Sequence, residues 1–172
     1  MGTTTLVRPG LAELIAGVRV AATRHAEDPR RAAHAVADVL RASPALGTDI
    51  LTAAERTETR GHVLHAEADF SITAIVWSPG QITRIHDHIA WCAFGVLEGV
   101  EHETLYRDNG DHLTEIGQTA NHVGDVSGFA PPGDIHRVHN TSTTNAISLH
   151  IYGADLSVAG SSVRRYYDIP VR

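Results

Sequence analysis

The stretch Gly80-Gln81-Ile82-Thr83-Arg84-Ile85-His86-Asp87-His88 decides how the rest of the chain is read. Strand residues two apart point to the same face, so His86 and His88 can grip one metal ion together. Downstream, Pro131-Pro132-Gly133-Asp134-Ile135-His136-Arg137-Val138 offers a third ligand, His136. Farther on, Ser148-Leu149-His150-Ile151-Tyr152 puts three polar groups on one face of another strand and its apolar residues on the other. Together these stretches point to a metal-centred site inside a small β-barrel.

Around them the apolar pattern changes once. Leu11, Leu14, Ile15, Val18 and Ala22 recur at helical spacing up to His25, and Asp28-Pro29 supplies a cap and first turn for a second helix running to about Leu40. A third short helix is expected from Asp49 to Thr57. Alternation then takes over in Phe70–Trp77, Trp91–Leu97, Glu101–Tyr106 and Ala146–Tyr152, with turn signals at Pro79-Gly80, Asn109-Gly110, Gly124-Asp125 and Pro132-Gly133. This reads as a single domain, residues 1–172, mainly β. A helical part to about residue 58 precedes an antiparallel barrel or sandwich from about residue 59. Ile147, Leu149 and Ile151 face away from the lumen yet are too apolar to face water, so the N-terminal helices are expected to cover them.

Composition narrows the function. A chain of 172 residues, 42% hydrophobic, is long enough for one sizeable core. A net charge of −6, with every basic residue an arginine and no basic stripe, argues against nucleic-acid binding. No apolar run approaches the length of a membrane span, and the N-terminus lacks a signal-peptide layout, so a cytoplasmic protein is expected. The lone Cys92 fits a reducing compartment. Of the twelve histidines, His25, His34, His102, His112 and His122 read as surface or structural residues.

The spacing Gly-x5-His-x-His, followed by Gly99 and later by Pro132 and His136, resembles the two signature motifs of the cupin superfamily, which implies a jelly-roll barrel. No Asp or Glu lies between His88 and Glu98, where many cupins carry a carboxylate ligand. A neutral three-histidine face suits Fe(II) with open positions better than a closed structural zinc site, although ligand type alone does not exclude zinc. Over residues 59–168, His86-Asp87-His88, His136-Arg137-Val138 and Ser148-x-His150-x-Tyr152 resemble the cysteine dioxygenase (thiol dioxygenase) family. The resemblance implies that His86, His88 and His136 bind Fe(II). It also implies that Ser148, His150 and Tyr152 form a hydrogen-bonded relay toward the site of substrate and O2. Cys92 falls near the cysteine that animal members cross-link to the tyrosine matching Tyr152; a small buried hydrophobe is the equal alternative. The spacing of Trp91 and Cys92 after His88 is closer to bacterial 3-mercaptopropionate dioxygenases.

The expected activity is therefore oxidation of a small thiol carboxylate by O2 to a sulfinic acid. L-Cysteine, 3-mercaptopropionate and another mercapto acid all remain open as substrate. For the carboxylate, Gly61 occupies the arginine position of cysteine dioxygenases. Arg60 is one place off, and Arg165 in Val163-Arg164-Arg165-Tyr166 is the preferred candidate by resemblance to the mercaptopropionate enzymes. Two rival readings are a zinc or manganese cupin isomerase and a non-catalytic, metal-dependent ligand-binding cupin. The three-histidine set and the Ser148-His150-Tyr152 face count against both.

Overall fold

The computed structural model describes residues 7–47 and 49–172. Residues 1–6, the first part of the stretch read for a signal-peptide layout, lie outside them.

Helix α1 (Leu11–Arg24) buries Leu14, Val18, Ala21 and Ala22 along one stripe. Helix α2 (Pro29–Ala42) starts where the Asp28 carboxylate accepts the Arg31 backbone N–H at 3.1 Å, with Pro29 in the first turn. The third helix expected from Asp49 to Thr57 is only a 3₁₀ turn at Glu55–Thr57, with another at Pro44–Gly47. Thr52 and Glu55 cap this turn reciprocally, and the backbone is already extended at Glu58.

Ten strands follow: β1 (Gly61–Glu67), β2 (Phe70–Trp77), β3 (His86–His88), β4 (Cys92–Glu98), β5 (Glu101–Asp108), β6 (Leu113–Asn121), β7 (Val126–Phe129), β8 (His136–Asn140), β9 (Ala146–Tyr152) and β10 (Val163–Tyr166), with a one-turn helix α3 (Leu156–Ala159) before the last. They form two antiparallel sheets, ordered β1-β2-β9-β4-β7 and β10-β3-β8-β5-β6, in a jelly-roll layout whose hydrogen-bonded ladders remain two separate sheets.

Strand β9 is central in the first sheet, and its two faces do different work. Ile147, Leu149 and Ile151 join Ile72, Ala74 and Val76 of β2 and Leu14, Val18, Val36 and Leu40 of the helices in one buried cluster. The helices thus cover the apolar face, as the sequence pattern requires, and each aliphatic side chain buried there contributes about 1.5–3 kcal/mol. The other face of β9 looks across to the second sheet. Between β4 and β5 the chain reverses at Gly99, whose φ of +76° and approach to Ala146 (2.9 Å from an added Cβ to Cα) admit only glycine.

Helix α2 rests directly on β7 at Gly128, where an added Cβ would meet the Ala33 carbonyl oxygen at 2.5 Å. Gly128→Ala should cost about 1–3 kcal/mol by overpacking, read as a fall of several degrees in melting temperature. Gly117→Ala in β6, with nothing within 4 Å of the added carbon, should leave it nearly unchanged.

Candidate active site

His86 and His88 share the inner face of β3, and His86 lies directly opposite His136 on β8. One ring nitrogen from each can be chosen so that all lie within 4.8 Å of one another. All three side chains are buried. Their Nδ1 atoms point outward to fixed partners: the Arg84 carbonyl at 2.9 Å for His86, Asp134 Oδ2 at 3.0 Å for His88, and Glu103 Oε1 at 2.6 Å for His136. These acceptors hold the proton on Nδ1 and leave each Nε2 lone pair turned inward. His136 Nε2 is buried without any hydrogen-bond partner, an expense a metal ion would remove.

Electrostatics favour the neutral form of His86 and His88. Burial, with His136 adding, pulls His86 down to about 4. Burial also lowers His88, against the hydrogen bond that its Nδ1–H donates to Asp134. Burial works against the Asp134 carboxylate, yet the side-chain and backbone N–H groups of His88 hold it below its ordinary value. His86 and His88 are thereby held in the unprotonated state that binds metal.

Facing them, the inner face of β9 carries Ser148, His150 and Tyr152. Ser148 Oγ lies 2.9 Å from His150 Nε2, and the Tyr152 hydroxyl lies 3.2 Å from His150 Nδ1. Trp77 Nε1–H donates to Ser148 Oγ at 3.0 Å. Burial takes His150 down to about 3 and pushes the Tyr152 phenol up, so His150 is neutral and Tyr152 keeps its proton. Tyr152 stacks beside His88 with ring centroids 6.1 Å apart, joining the two sheets at the site. Cys92 is fully buried, lies opposite Tyr152 in the β4–β9 ladder, and has its sulfur 3.9 Å from His150 Nδ1. Burial pushes its thiol well up.

Between the two groups is a cavity of about 330 Å³, lined by the three histidines, His150 and Tyr152, and by Ile75, Trp77, Val138, Val163 and Tyr166. Neither arginine expected to bind a carboxylate reaches it. Arg60 is exposed and paired with Glu58 at 2.7 Å; it is Gly61, opposite Ile75, that faces inward. Arg165 lies opposite Asp87, which points away from the histidines, and its guanidinium pairs with Asp108 at 2.7 Å. A register shift between Val163 and Arg165 turns Val163 and Tyr166 inward and both arginines outward. The arginine on the cavity wall is Arg84. Its guanidinium stacks 4.2 Å over the Tyr166 ring and uses Nη2 on Asp168. The sequence reading passed over it, although Arg84 is two residues before His86 and shares its parity.

The profile of the cysteine dioxygenase type I family matches residues 45–166. The chain belongs to this family. The cluster of His86, His88 and His136 fits a metal site. Similar solved structures include an oxalate oxidase in complex with glycolate (17% identity, 57% of this chain and 53% of that one, TM-score 0.44). Others are peruvianin-I, a cysteine peptidase from Thevetia peruviana latex (25%, 50% and 51%, 0.41), and a Bacillus subtilis oxalate decarboxylase variant (20%, 51% and 22%, 0.42). The chain spans about half the length of the first two and less of the third. No helix among the described residues is long and apolar enough to cross a membrane.

Glu103 and Asp134, which the sequence reading did not single out, orient two of the three imidazoles. Glu103→Ala and Asp134→Ala should each weaken metal binding about 10–100-fold in a chelator-competition titration, whereas Tyr152→Phe should leave it unchanged.

Proposed function

We propose that the protein is an Fe(II)-dependent thiol dioxygenase that converts a small thiol carboxylate and O2 to the sulfinic acid. The observation that carries this reading is the juxtaposition of three inward-facing Nε2 atoms on one sheet with the Ser148-His150-Tyr152 chain on the other, across one cavity. Iron(II) held by His86, His88 and His136 would supply open coordination positions and the redox capacity to join a thiolate to O2. Two S–O bonds form, the O–O bond breaks, and the electrons that reduce O2 come from sulfur. Tyr152, kept protonated by burial, donates its hydroxyl proton into the cavity, and His150 and Ser148 fix that hydroxyl from behind. The apolar wall of Ile75, Trp77, Val138 and Val163 excludes water from the thiolate.

The cavity supports 3-mercaptopropionate over L-cysteine. Arg84 is among its lining residues, with its guanidinium stacked over Tyr166, and no Asp or Glu lines it. A carboxylate therefore finds a charged partner there, whereas the ammonium group of cysteine finds none. We place the substrate carboxylate on Arg84, whose pairing with Asp168 occupies only Nη2, in place of Arg60 and Arg165.

The test is anaerobic reconstitution with Fe(II), followed by O2 uptake and sulfinate formation with 3-mercaptopropionate, L-cysteine, cysteamine and mercaptosuccinate. Coupled sulfinate production is expected, with the highest kcat/KM for 3-mercaptopropionate and none for cysteamine. Arg84→Ala should raise KM about 10–100-fold, the worth of a charged hydrogen bond, at unchanged iron content. Iron binding without O2 uptake on any of these thiols would refute the proposal.

We also propose a thioether between Cys92 and Tyr152, a reading supported by their opposition in the β4–β9 ladder. That bond would replace the S–H and one ring C–H, with O2 taking up the hydrogens. Intact mass after turnover should then show the loss of two hydrogens in the wild type and none in Cys92→Ala; equal behaviour would make Cys92 a buried hydrophobe only.

A further inference from the structure

Behind the relay, on the side away from the substrate cavity, sits a carboxylate the dioxygenase reading does not use. Glu101, the first residue of β5, is 2% exposed. Its Oε2 lies 4.0 Å from His150 Nε2, and its Oε1 has no hydrogen-bond partner. The Ser148 hydroxyl, which accepts the Trp77 N–H and lies 2.9 Å from the same His150 Nε2, is its neighbour in the relay. A small closed cavity of about 10 Å³ separates it from Glu103 and His136. The titratable groups around it are Glu103 on its own strand, His150 and Tyr152 on β9, His136 on β8 and Cys92 on β4. The facing residues of β2 and β6, Trp77 and Asn121, do not titrate.

Hydrogen counting shows what this carboxylate decides. Neutral His150 has one N–H and two engaged nitrogens, Nε2 with Ser148 and Nδ1 with Tyr152. Ser148 Oγ already accepts the Trp77 N–H, so its single hydrogen goes either to His150 or to Glu101. With Glu101 ionised, Ser148 donates to the carboxylate, His150 Nε2–H donates to Ser148, and Tyr152 O–H is drawn inward to Nδ1. With Glu101 protonated, its O–H donates to Ser148 and Ser148 donates to Nε2. His150 Nδ1–H then donates to the phenol oxygen, and Tyr152 O–H is released toward the substrate cavity.

We propose that Glu101 is a positioning residue that sets the direction of the relay, its protonated form turning the Tyr152 hydroxyl outward and its ionised form turning it inward. Burial raises its carboxyl to about 7, against the Ser148 and Trp77 hydrogen bonds, with Glu103 adding to the rise. Both forms are therefore populated near neutral pH. The sign follows: the outward, donating state prevails below about 7 and is lost above it.

The proposal rests on the dioxygenase reading for its catalytic consequence but not for the switch itself, and the two can fail separately. The first measurement is ¹⁵N NMR of the full chain with labelled histidine and zinc(II) as a diamagnetic metal, with His150 assigned by its disappearance in His150→Gln. Wild type should pass from the Nδ1–H tautomer at low pH to Nε2–H at high pH, with a midpoint near 7. Glu101→Gln, whose amide does not titrate, should hold one tautomer throughout, and Ser148→Ala, which cuts the link, should also lose the transition. A single wild-type tautomer from pH 5.5 to 8.5, or a transition that persists in both variants, overturns the proposal. The second measurement is the pH profile of kcat in the iron-loaded enzyme, expected to fall about tenfold from pH 6 to 8 in wild type and to be flat in Glu101→Gln. A profile identical in the two proteins also overturns it. An intact tautomer switch in a protein that oxidises no thiol would count against the dioxygenase reading and leave the switch standing.

Discussion

Three imidazoles crowded into one buried site repel one another when protonated and leave nitrogens unsatisfied when neutral. The structure resolves this by giving every Nδ1 a fixed acceptor from a different place: a main-chain carbonyl two residues upstream, the Asp134 carboxylate of the loop before β8, and Glu103 of β5. Orientation of the Nε2 set therefore depends on β3, β5 and β8 being in register, and the second sheet has to form before the site exists. Asp87, between the two β3 histidines, serves the same end from the opposite face. It accepts the Tyr167 hydroxyl at 2.8 Å and the Arg164 guanidinium, tying the chain at the cavity mouth to the strand that carries the histidines.

Strand β9 performs the complementary task for the first sheet. Because strand side chains alternate, the packing that fixes Ile147, Leu149 and Ile151 under the helices also fixes the aim of Ser148, His150 and Tyr152. The helical layer thus serves the site without touching it. A one-residue slip of β9 would put three polar groups under the helices and three aliphatic ones in the cavity, which makes its register strongly specified.

This duality explains what could be read from the sequence. Strands with one apolar and one polar face, or strongly apolar throughout, announced themselves: β2 and β9 match the alternating stretches, and β4 and β5 begin and end within two residues of them. The spacing of His86, His88 and His136 was equally plain. What alternation could not supply was any feature set by pairing between distant segments. β6 and β7 have mixed, half-exposed faces, and β8 is short and follows a turn. Glu103 and Asp134 become partners of the histidines only through the β5–β8 pairing and the loop before β8. Arg165 carries the right chemistry, but the shift in β10 pairs it with Asp87 on the outer face. Arg84 was visible in principle, since its parity matches that of His86.

The carboxylates that surround the site also clarify a departure first seen as a gap. The sequence lacks an acidic residue near Cys92, so the metal-facing set is neutral, and a divalent ion there would bring uncompensated charge into a buried space. The structure places Asp134 and Glu103 one layer out, on the far nitrogens of His88 and His136. From there they offset the charge through the imidazoles without occupying a coordination position. The acidic groups stay behind the rings while the cavity wall presents Arg84 and apolar side chains. Charge compensation thus lies behind the imidazoles, and no carboxylate lines the cavity itself.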